Sequence, residues 1–148
     1  MSYLGEGKKV EEKFFSLFPD WEAASAEDDI KNHIDGYIKT SVDVKGMKKV
    51  LRSDDSPNQN IHWIELRNVH GDPGWLYGKA QMFAFETARY FVQVKQKDLA
   101  KFIKENLIKK VSPDPALYML YQRKGRKDLL TLVDTLDLCY LADSIIEK

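Results

Sequence analysis

The 148-residue chain has a single cysteine, Cys139, which excludes an internal disulfide and a zinc site built from several cysteines. It also lacks the run of roughly 18 uncharged apolar residues that a membrane-spanning helix needs. Residues Met1 to Glu6 contain no basic segment followed by an apolar run, so they do not predict a secretory signal. We therefore expect a protein of the reducing cytoplasm with no membrane partner.

Neither sign of charge is in excess, because 23 Lys and Arg residues balance 23 Asp and Glu residues. The balance counts against nucleic-acid binding, although basic patches remain elsewhere if acidic residues gather at one site. Several catalytic patterns are also missing. The histidines have no common metal-ligand spacing, Gly74-x-x-x-Gly78 lacks the Lys-Ser/Thr of a P-loop, and no serine lies in a nucleophile elbow.

The hydrophobic pattern predicts one domain, residues 1–148, in which helices and strands are mixed. Helices are predicted at Glu6–Phe18, from the cap Asp98 to Lys110, and at Leu136–Ile146. An acidic loop is predicted at Trp21–Asp29. Hairpins are predicted from His33–Ile38 with Ser41–Lys45, Ala80–Glu86 with Tyr90–Val94, and Leu117–Gln122 with Leu129–Val133, and a further strand at Ile61–Val69. This order predicts an α/β or α+β fold, with a mixed central sheet flanked by helices.

The segment Val42-Asp43-Val44-Lys45 carries the clearest chemical signal. Strand side chains alternate, so Asp43 and Lys45 share one face while Val42 and Val44 point into the core. Carboxylates are the ligands that Mg²⁺ prefers, and a neighbouring lysine can stabilise charge that develops on a phosphate. The alternative is that Asp43 and Lys45 are the solvent face of an amphipathic strand.

A second aspartate, Asp35, lies on the preceding predicted strand. A two-residue turn at Lys39-Thr40 would place Asp35 on the wrong face from Asp43. A three-residue loop, Ile38 to Thr40, or a bulge at Gly36 would place it directly across from Asp43. We predict one of these two arrangements, and with it a metal site shared by Asp35 and Asp43.

Glu11 is a third candidate ligand. At 100° per residue it falls between Phe14 and Phe15 within the apolar arc of the first helix, whereas Glu12 falls outside it. A carboxylate that faces a core is costly unless it is paired or bound to a metal. The alternatives are that Glu11 reaches water at the edge of the arc, or that Glu12 or Glu65 takes its place.

Together these residues resemble the motifs of PD-(D/E)XK nucleases, and within them the small Holliday junction resolvases of archaea and their phage relatives. The resemblance covers mainly residues 7 to 45 and extends more loosely to residue 107. Its parts are Gly7-Lys8-Lys9-Val10-Glu11 followed by Phe14, Phe15 and Phe18, then Asp35, then Asp43 with Lys45. Ile34 stands where the family has proline, and the hairpin is shorter than usual.

The resemblance implies a restriction-endonuclease-like fold and an Mg²⁺- or Mn²⁺-dependent endonuclease that hydrolyses phosphodiester bonds. Asp35, Asp43 and Glu11 would hold the metal, and Lys45 would complete the catalytic set. It further implies double-stranded or branched DNA as the partner, a homodimer, and a role in phage recombination or DNA processing in a host cytoplasm. The alternatives are a catalytically silent DNA- or protein-binding phage accessory protein and an RNA-processing enzyme.

Basic residues provide candidate contacts to the nucleic-acid backbone. Four cations are expected at the tip of the last hairpin, and two more follow the proposed site: Arg123, Lys124, Arg126, Lys127, Lys48 and Lys49. A solvated turn is the alternative for the tip. Trp75 and Tyr77, between Gly74 and Gly78, would either stack on an unpaired base or cover the core.

Overall fold

The computed structural model describes the backbone of residues 3–148 and the side chains of residues 7–148. Met1 and Ser2, with which the segment assessed for a secretory signal begins, lie outside the described residues. The described part contains the α-helices Tyr3–Phe15 (α1), Ala26–Asn32 (α2), Gln96–Asn106 (α3) and Thr135–Leu141 (α4). Its strands are Glu22–Ala23 (β1), Gly36–Tyr37 (β2), Ser41–Lys45 (β3), Ile61–Arg67 (β4), Met82–Glu86 (β5), Tyr90–Lys95 (β6), Ile108–Val111 (β7), Met119–Leu120 (β8), Leu129–Asp134 (β9) and Ser144–Glu147 (β10).

The central sheet has six strands in the order β1-β2-β3-β5-β6-β10. Only β3 and β5 are parallel to each other, and every other neighbouring pair is antiparallel. Two smaller sheets accompany it, the antiparallel pair β4-β9 and the parallel pair β7-β8. The predicted α+β domain with a mixed central sheet is therefore confirmed. No helix in residues 3–148 is long and apolar enough to cross a membrane.

Apolar side chains cover the central sheet on both faces. On one face α1 packs through two fully buried phenylalanines, Phe14 and Phe15, against Val42, Val44, Met82, Ala84 and Phe91. On the other face lie α3, α4, the β4-β9 sheet and the 3₁₀ turn Trp75–Tyr77, packed around Phe83, Phe85, Val92 and Val94. Strand β3 is thus buried on both sides, so its alternating residues meet two different environments.

The β2-β3 hairpin has the predicted three-residue loop. Gly36 pairs with Val42 and Tyr37 pairs with Ser41, which leaves Ile38 to Thr40 as the loop. Continuing this register by one residue places Asp35 opposite Asp43. The hairpin prediction that depended on loop length is therefore confirmed.

Several predicted boundaries were wrong. Helix α1 begins before Glu6 and ends at Phe15 rather than at Phe18. The expected loop at Trp21–Asp29 contains β1 and the start of α2, where the Ser25 hydroxyl caps the helix by accepting from the backbone N–H of Asp28. Ser25 is a favourable N-cap, and Glu27, Asp28 and Asp29 suit the positive end of a helix.

The C-terminal third differs most from prediction. The helix expected from Asp98 to Lys110 begins at Gln96 and ends at Asn106, after which β7 pairs with β8. The helix expected at Leu136–Ile146 stops at Leu141, and the next residues form β10 at the sheet edge. The hairpin expected from Leu117–Gln122 with Leu129–Val133 is reduced to two isolated bridges, one antiparallel between Tyr121 and Leu130 and one parallel between Leu117 and Leu132. Strand β9 pairs mainly with β4. Pairing between distant segments overrides local propensity in each case.

Gly36 holds the start of β2 close to α1, and we predict that a larger residue there destabilises the fold. A Cβ atom at this position would lie 2.6 Å from Phe15 Cζ and 2.9 Å from the carbonyl oxygen of Glu22. Gly36→Ala should lower the free energy of unfolding by about 1–3 kcal/mol in urea titrations. The matched control is Gly7→Ala in α1, where nothing lies within 4 Å and stability should rise by about 1 kcal/mol. Equal effects of the two substitutions would contradict the packing.

Candidate functional site

Asp43 is a buried carboxylate on the strand β3. Its residue surface is 3% exposed, so the alternative that it belongs to a solvent face is wrong. Oδ1 lies 3.0 Å from Nζ of Lys45, two residues along the same face. Oδ2 has no hydrogen-bond partner among residues 7–148. One oxygen of a buried anion is therefore paired, and the other is available to a ligand.

Asp35 immediately precedes β2, and extending the β2-β3 register by one residue places it opposite Asp43, as the three-residue loop predicts. Its backbone N–H donates to the carbonyl of Val42, and its Oδ2 accepts from the backbone N–H of Val44 at 2.6 Å. The carboxylate thus occupies a pairing position of β3 at the point where β2 begins. His33, which ends α2 with a left-handed φ of 56°, turns the chain just before this residue. The turn and the three-residue loop together fix where the Asp35 side chain lies.

Glu11 reaches the same place from α1. Its pKa is raised to about 7, first by burial, then by the negative charge of Asp35 and by a side-chain hydrogen bond to Asp35. Glu12, the next residue, is exposed. The structure therefore places Glu11 rather than Glu12 beside the two aspartates, in line with the helical arc.

The pKa values of the two aspartates are also raised above the ordinary range. Burial and the charge of Asp43 raise the pKa of Asp35 to about 7, against the opposing effect of the Val44 N–H. Burial raises the pKa of Asp43 to about 6, although Lys45 opposes the rise. Three carboxylates in one partly dehydrated region repel each other when ionised, and one lysine does not compensate all three.

The ammonium group of Lys45 lies over an aromatic ring. Its Nζ lies 4.2 Å from the ring centre of Trp75, a cation–π geometry that keeps a cation in place where water is scarce. Glu65 on β4 fixes Trp75 by accepting from its backbone N–H at 3.1 Å. Trp75 therefore covers the site, and Glu65 supports it from the neighbouring sheet.

His62 on β4 has no place in the predicted site, yet it lines the same small cavity as Lys45. It is 4% exposed, and its Nε2 has no partner among the described side chains. Burial lowers its pKa to about 4, so the ring is neutral at physiological pH. With Lys45 and Lys48 it lines a cavity of about 30 Å³, about the volume of one water molecule. No local motif could have indicated His62, because only the packing of β4 on the central sheet brings it here.

The predicted phosphate-binding residues lie in two segments, the hairpin tip and the segment after β3. Arg123 is engaged by the fully buried Asp128, to which its Nε donates, so much of its charge is used within the fold. Lys124, Arg126 and Lys127 are exposed around a turn in which Gly125 has a φ of 74°. Lys48 and Lys49 are exposed in the segment after β3.

The hairpin tip and the site share one electrostatic environment. The ammonium group of Lys48 has lost part of its hydration, and this lowers its pKa, as do the positive charges of Lys45 and Arg123. Arg123, at the base of the tip, is therefore close enough to influence a lysine that lines the site. Of the predicted basic residues at the tip, Arg123 is thus the one whose charge acts on Lys48.

The site combines carboxylate oxygens, one lysine and the indole ring that contacts it. Glu11, Asp35 and Asp43 supply the oxygens, and Lys45 supplies the cation. Among the described residues, no group of three or more His, Cys, Asp or Glu side chains has an arrangement that would hold a metal ion. A cation would therefore depend first on Asp35 and Asp43, the two carboxylates that the hairpin register sets face to face.

Comparisons with known proteins do not extend this description. No protein-family model matches the chain, and no curated protein or solved structure is significantly similar to it.

The carboxylate cluster predicts an unusual dependence of stability on pH. The folded-state pKa of Asp35, about 7, lies above its ordinary value of 3.8, so its contribution is fully present below about pH 4 and is lost as the pH rises through 7. The free energy of unfolding, measured without divalent ions, should therefore fall between about pH 4 and about pH 7. Asp35→Asn, which stays neutral and can still accept from Val44, should exceed the wild type at pH 8 by on the order of 1 kcal/mol after allowance for solvent screening.

Asp20→Asn serves as the control because Asp20 is exposed and lies outside the site. Its unfolding curves should superimpose on those of the wild type at every pH. If Asp35→Asn were the less stable protein at pH 8, the repulsion among the carboxylates would not be what limits stability there.

Proposed function

We propose that this chain is a metal-dependent DNA endonuclease of the PD-(D/E)XK type. The observation that carries the proposal is the convergence of Glu11, Asp35, Asp43 and Lys45 from one helix and one hairpin. Asp43 is buried with one oxygen 3.0 Å from Lys45 and the other unpartnered among the described residues. A structural ion pair on a buried strand would leave no carboxylate oxygen unsatisfied and would gather no further carboxylates around it.

The residues present suit a divalent cation. Oδ2 of Asp43 is an orphaned buried acceptor, and the pKa values of Glu11, Asp35 and Asp43 are raised first by burial and then by neighbouring negative charge. Asp35 and Asp43 would hold Mg²⁺ or Mn²⁺, with Glu11 contributing to the ion or to its water. Such an ion, when bound, neutralises charge on a phosphate and lowers the pKa of its water.

The chain's own side chains would then position the scissile phosphate. Lys45 places an ammonium group beside Asp43, where it can stabilise negative charge as it develops on a non-bridging oxygen. The ring of Trp75, 4.2 Å from Nζ, supplies a further favourable contact for the ammonium group in this position. Lys48, Lys49, Lys124, Arg126 and Lys127 would contact the backbone phosphates of the flanking duplex without reading its sequence.

We further propose branched DNA as the preferred substrate and a homodimer as the active form. Cutting a symmetrical junction on two strands requires two active sites, which one copy of this chain does not contain. A cytoplasmic enzyme of phage DNA processing would have these properties. A protein that binds DNA or another protein without turnover is the alternative, and the same cleavage assay separates the two.

Removal of the Asp43 charge should abolish cleavage. A panel of linear, single-stranded, flapped and four-way DNA, with RNA in parallel, is incubated with Mg²⁺ or Mn²⁺ and wild-type protein. Asp43→Asn and Lys45→Met should each lower the rate by at least about 100-fold, since each removes a group that acts on the transition state. Glu11→Gln should lower it, whereas Glu12→Gln, its exposed neighbour, should not.

Two results would overturn the proposal. One is a wild-type protein that cuts none of these substrates with either metal, which leaves a binding protein. The other is an activity that Asp43→Asn retains, which would point to a contaminating nuclease or a different site. Faster cleavage of RNA than of DNA would reassign the substrate.

Neutralisation of the hairpin tip should weaken DNA binding and flatten its dependence on salt. For duplex DNA, the slope of log K against log salt changes by about 0.9 for each phosphate that a basic side chain neutralises. Lys124→Gln with Arg126→Gln should therefore reduce the slope by about 1.8 in fluorescence anisotropy titrations without divalent ions. Lys31→Gln, which removes an exposed lysine paired with Glu27, should leave the slope unchanged.

A further inference from the structure

A second cavity, of about 450 Å³, opens beside α3 and is separate from the carboxylates. Its wall is apolar and its rim is basic. The wall includes Leu66, Tyr77 and Leu107, and the rim carries Lys101, Lys104 and Lys109. We call it the Tyr77 pocket. Its volume lies within the range of sites that hold small organic groups.

Tyr77 gives this pocket a surface on which a flat ring can stack. The residue is 52% exposed, although it belongs to a 3₁₀ turn whose middle residue, Leu76, is fully buried. Its hydroxyl group makes no hydrogen bond to any described residue. An exposed aromatic ring next to aliphatic side chains favours the stacking of a base, since every base has an apolar face.

The lysines at the rim are available to an anion. Lys104 and Lys109 have no carboxylate within 4 Å among the described side chains, and Lys101 has only the exposed Glu105 at 4.0 Å. The chain as a whole has no net charge, so this concentration of positive charge is local. An apolar wall beside unpaired cations is complementary to a nucleotide, which joins a flat ring to a phosphate.

The Tyr77 pocket and the proposed active site are linked through one short turn of the chain. Trp75, whose ring lies under Lys45, and Tyr77 belong to the same 3₁₀ turn. Two residues of a 3₁₀ helix advance only about 4 Å along its axis. The two rings project in different directions, Trp75 toward Lys45 and Tyr77 into the pocket beside α3, so the same turn contributes to both places.

We propose that the Tyr77 pocket binds an unpaired base of the substrate, with the adjoining phosphates on Lys104 and Lys109. The choice of nucleic acid as the ligand rests on the proposed function. The pocket adds to that function a preference for DNA in which a single strand adjoins the duplex. Such a strand is present at flaps, overhangs and opened junctions.

Binding without divalent ions tests this independently of cleavage. Three labelled DNA probes are compared, all with the same duplex sequence. One has blunt ends, one has an oligothymidine overhang, and one has an abasic overhang that retains the phosphates. The wild type should bind the oligothymidine probe more tightly than the other two. Tyr77→Ala should lose roughly tenfold in affinity for that probe alone, and Tyr77→Phe should retain it, because the ring supplies the contact.

Charge is tested separately by Lys104→Gln with Lys109→Gln. This variant should reduce the salt slope for the overhang probe by about 1.4, the value for two contacts to single-stranded DNA. The matched controls are Lys97→Gln, an exposed lysine of α3 outside the pocket, and Tyr140→Ala, an exposed tyrosine of α4. Neither control should change the preference for the oligothymidine probe. Circular dichroism checks that each variant folds.

The outcomes distinguish the pocket from the nuclease. Equal binding of the oligothymidine and abasic probes would overturn the pocket, and so would an unchanged preference in Tyr77→Ala. If the wild type cuts DNA but gives either of these results, the proposed nuclease function stands and the proposed role of the pocket is wrong. A wild type that cuts nothing but shows a preference dependent on Tyr77 supports the pocket as a nucleic-acid site and overturns the nuclease.

Discussion

The burial of the Asp43 carboxyl group on a strand covered from both sides is the constraint around which this site is built. Its neighbours Val42 and Val44 pack under α1, so the aspartate has to face the opposite core. Taking a carboxylate out of water costs several kcal/mol unless a partner compensates it. Lys45 compensates one oxygen only, and Asp35 and Glu11 add further negative charge. Buried carboxylates that are only partly compensated are expected to lower stability at neutral pH.

The two faces of β3 contribute different things. On the α1 face, Phe14 and Phe15 anchor the helix, and Glu11 comes with it, one turn before them. On the other face the β4-β9 sheet and the 3₁₀ turn bring Trp75 under Lys45 and His62 beside it. The carboxylates therefore depend on local structure near the N-terminus, and the cover over them depends on segments much further along the chain.

An electrically neutral chain can still carry local basic regions. The ion pairs Asp43 with Lys45, Asp128 with Arg123, and Glu86 with Lys148 use one charge of each sign, so the remaining charges differ in position and not in number. Exposed lysines and arginines remain at the hairpin tip and around the Tyr77 pocket. Net charge alone argued against a nucleic-acid partner, but it averages over a molecule whose charges are unevenly distributed.

The sequence by itself determined the fold class, the first helix and the hairpins β2-β3 and β5-β6, together with the relation between Asp35, Asp43 and Lys45. These features follow from periodicity and loop length, which act over a few residues. Only the tertiary structure decided that Asp43 is buried, that β4 pairs with β9, that Ser144–Glu147 joins the sheet edge, and that Trp75 and His62 close around Lys45. The reason is that strand pairing and burial on both faces depend on contacts between distant segments. The local pattern of a segment does not indicate which distant segment it will contact.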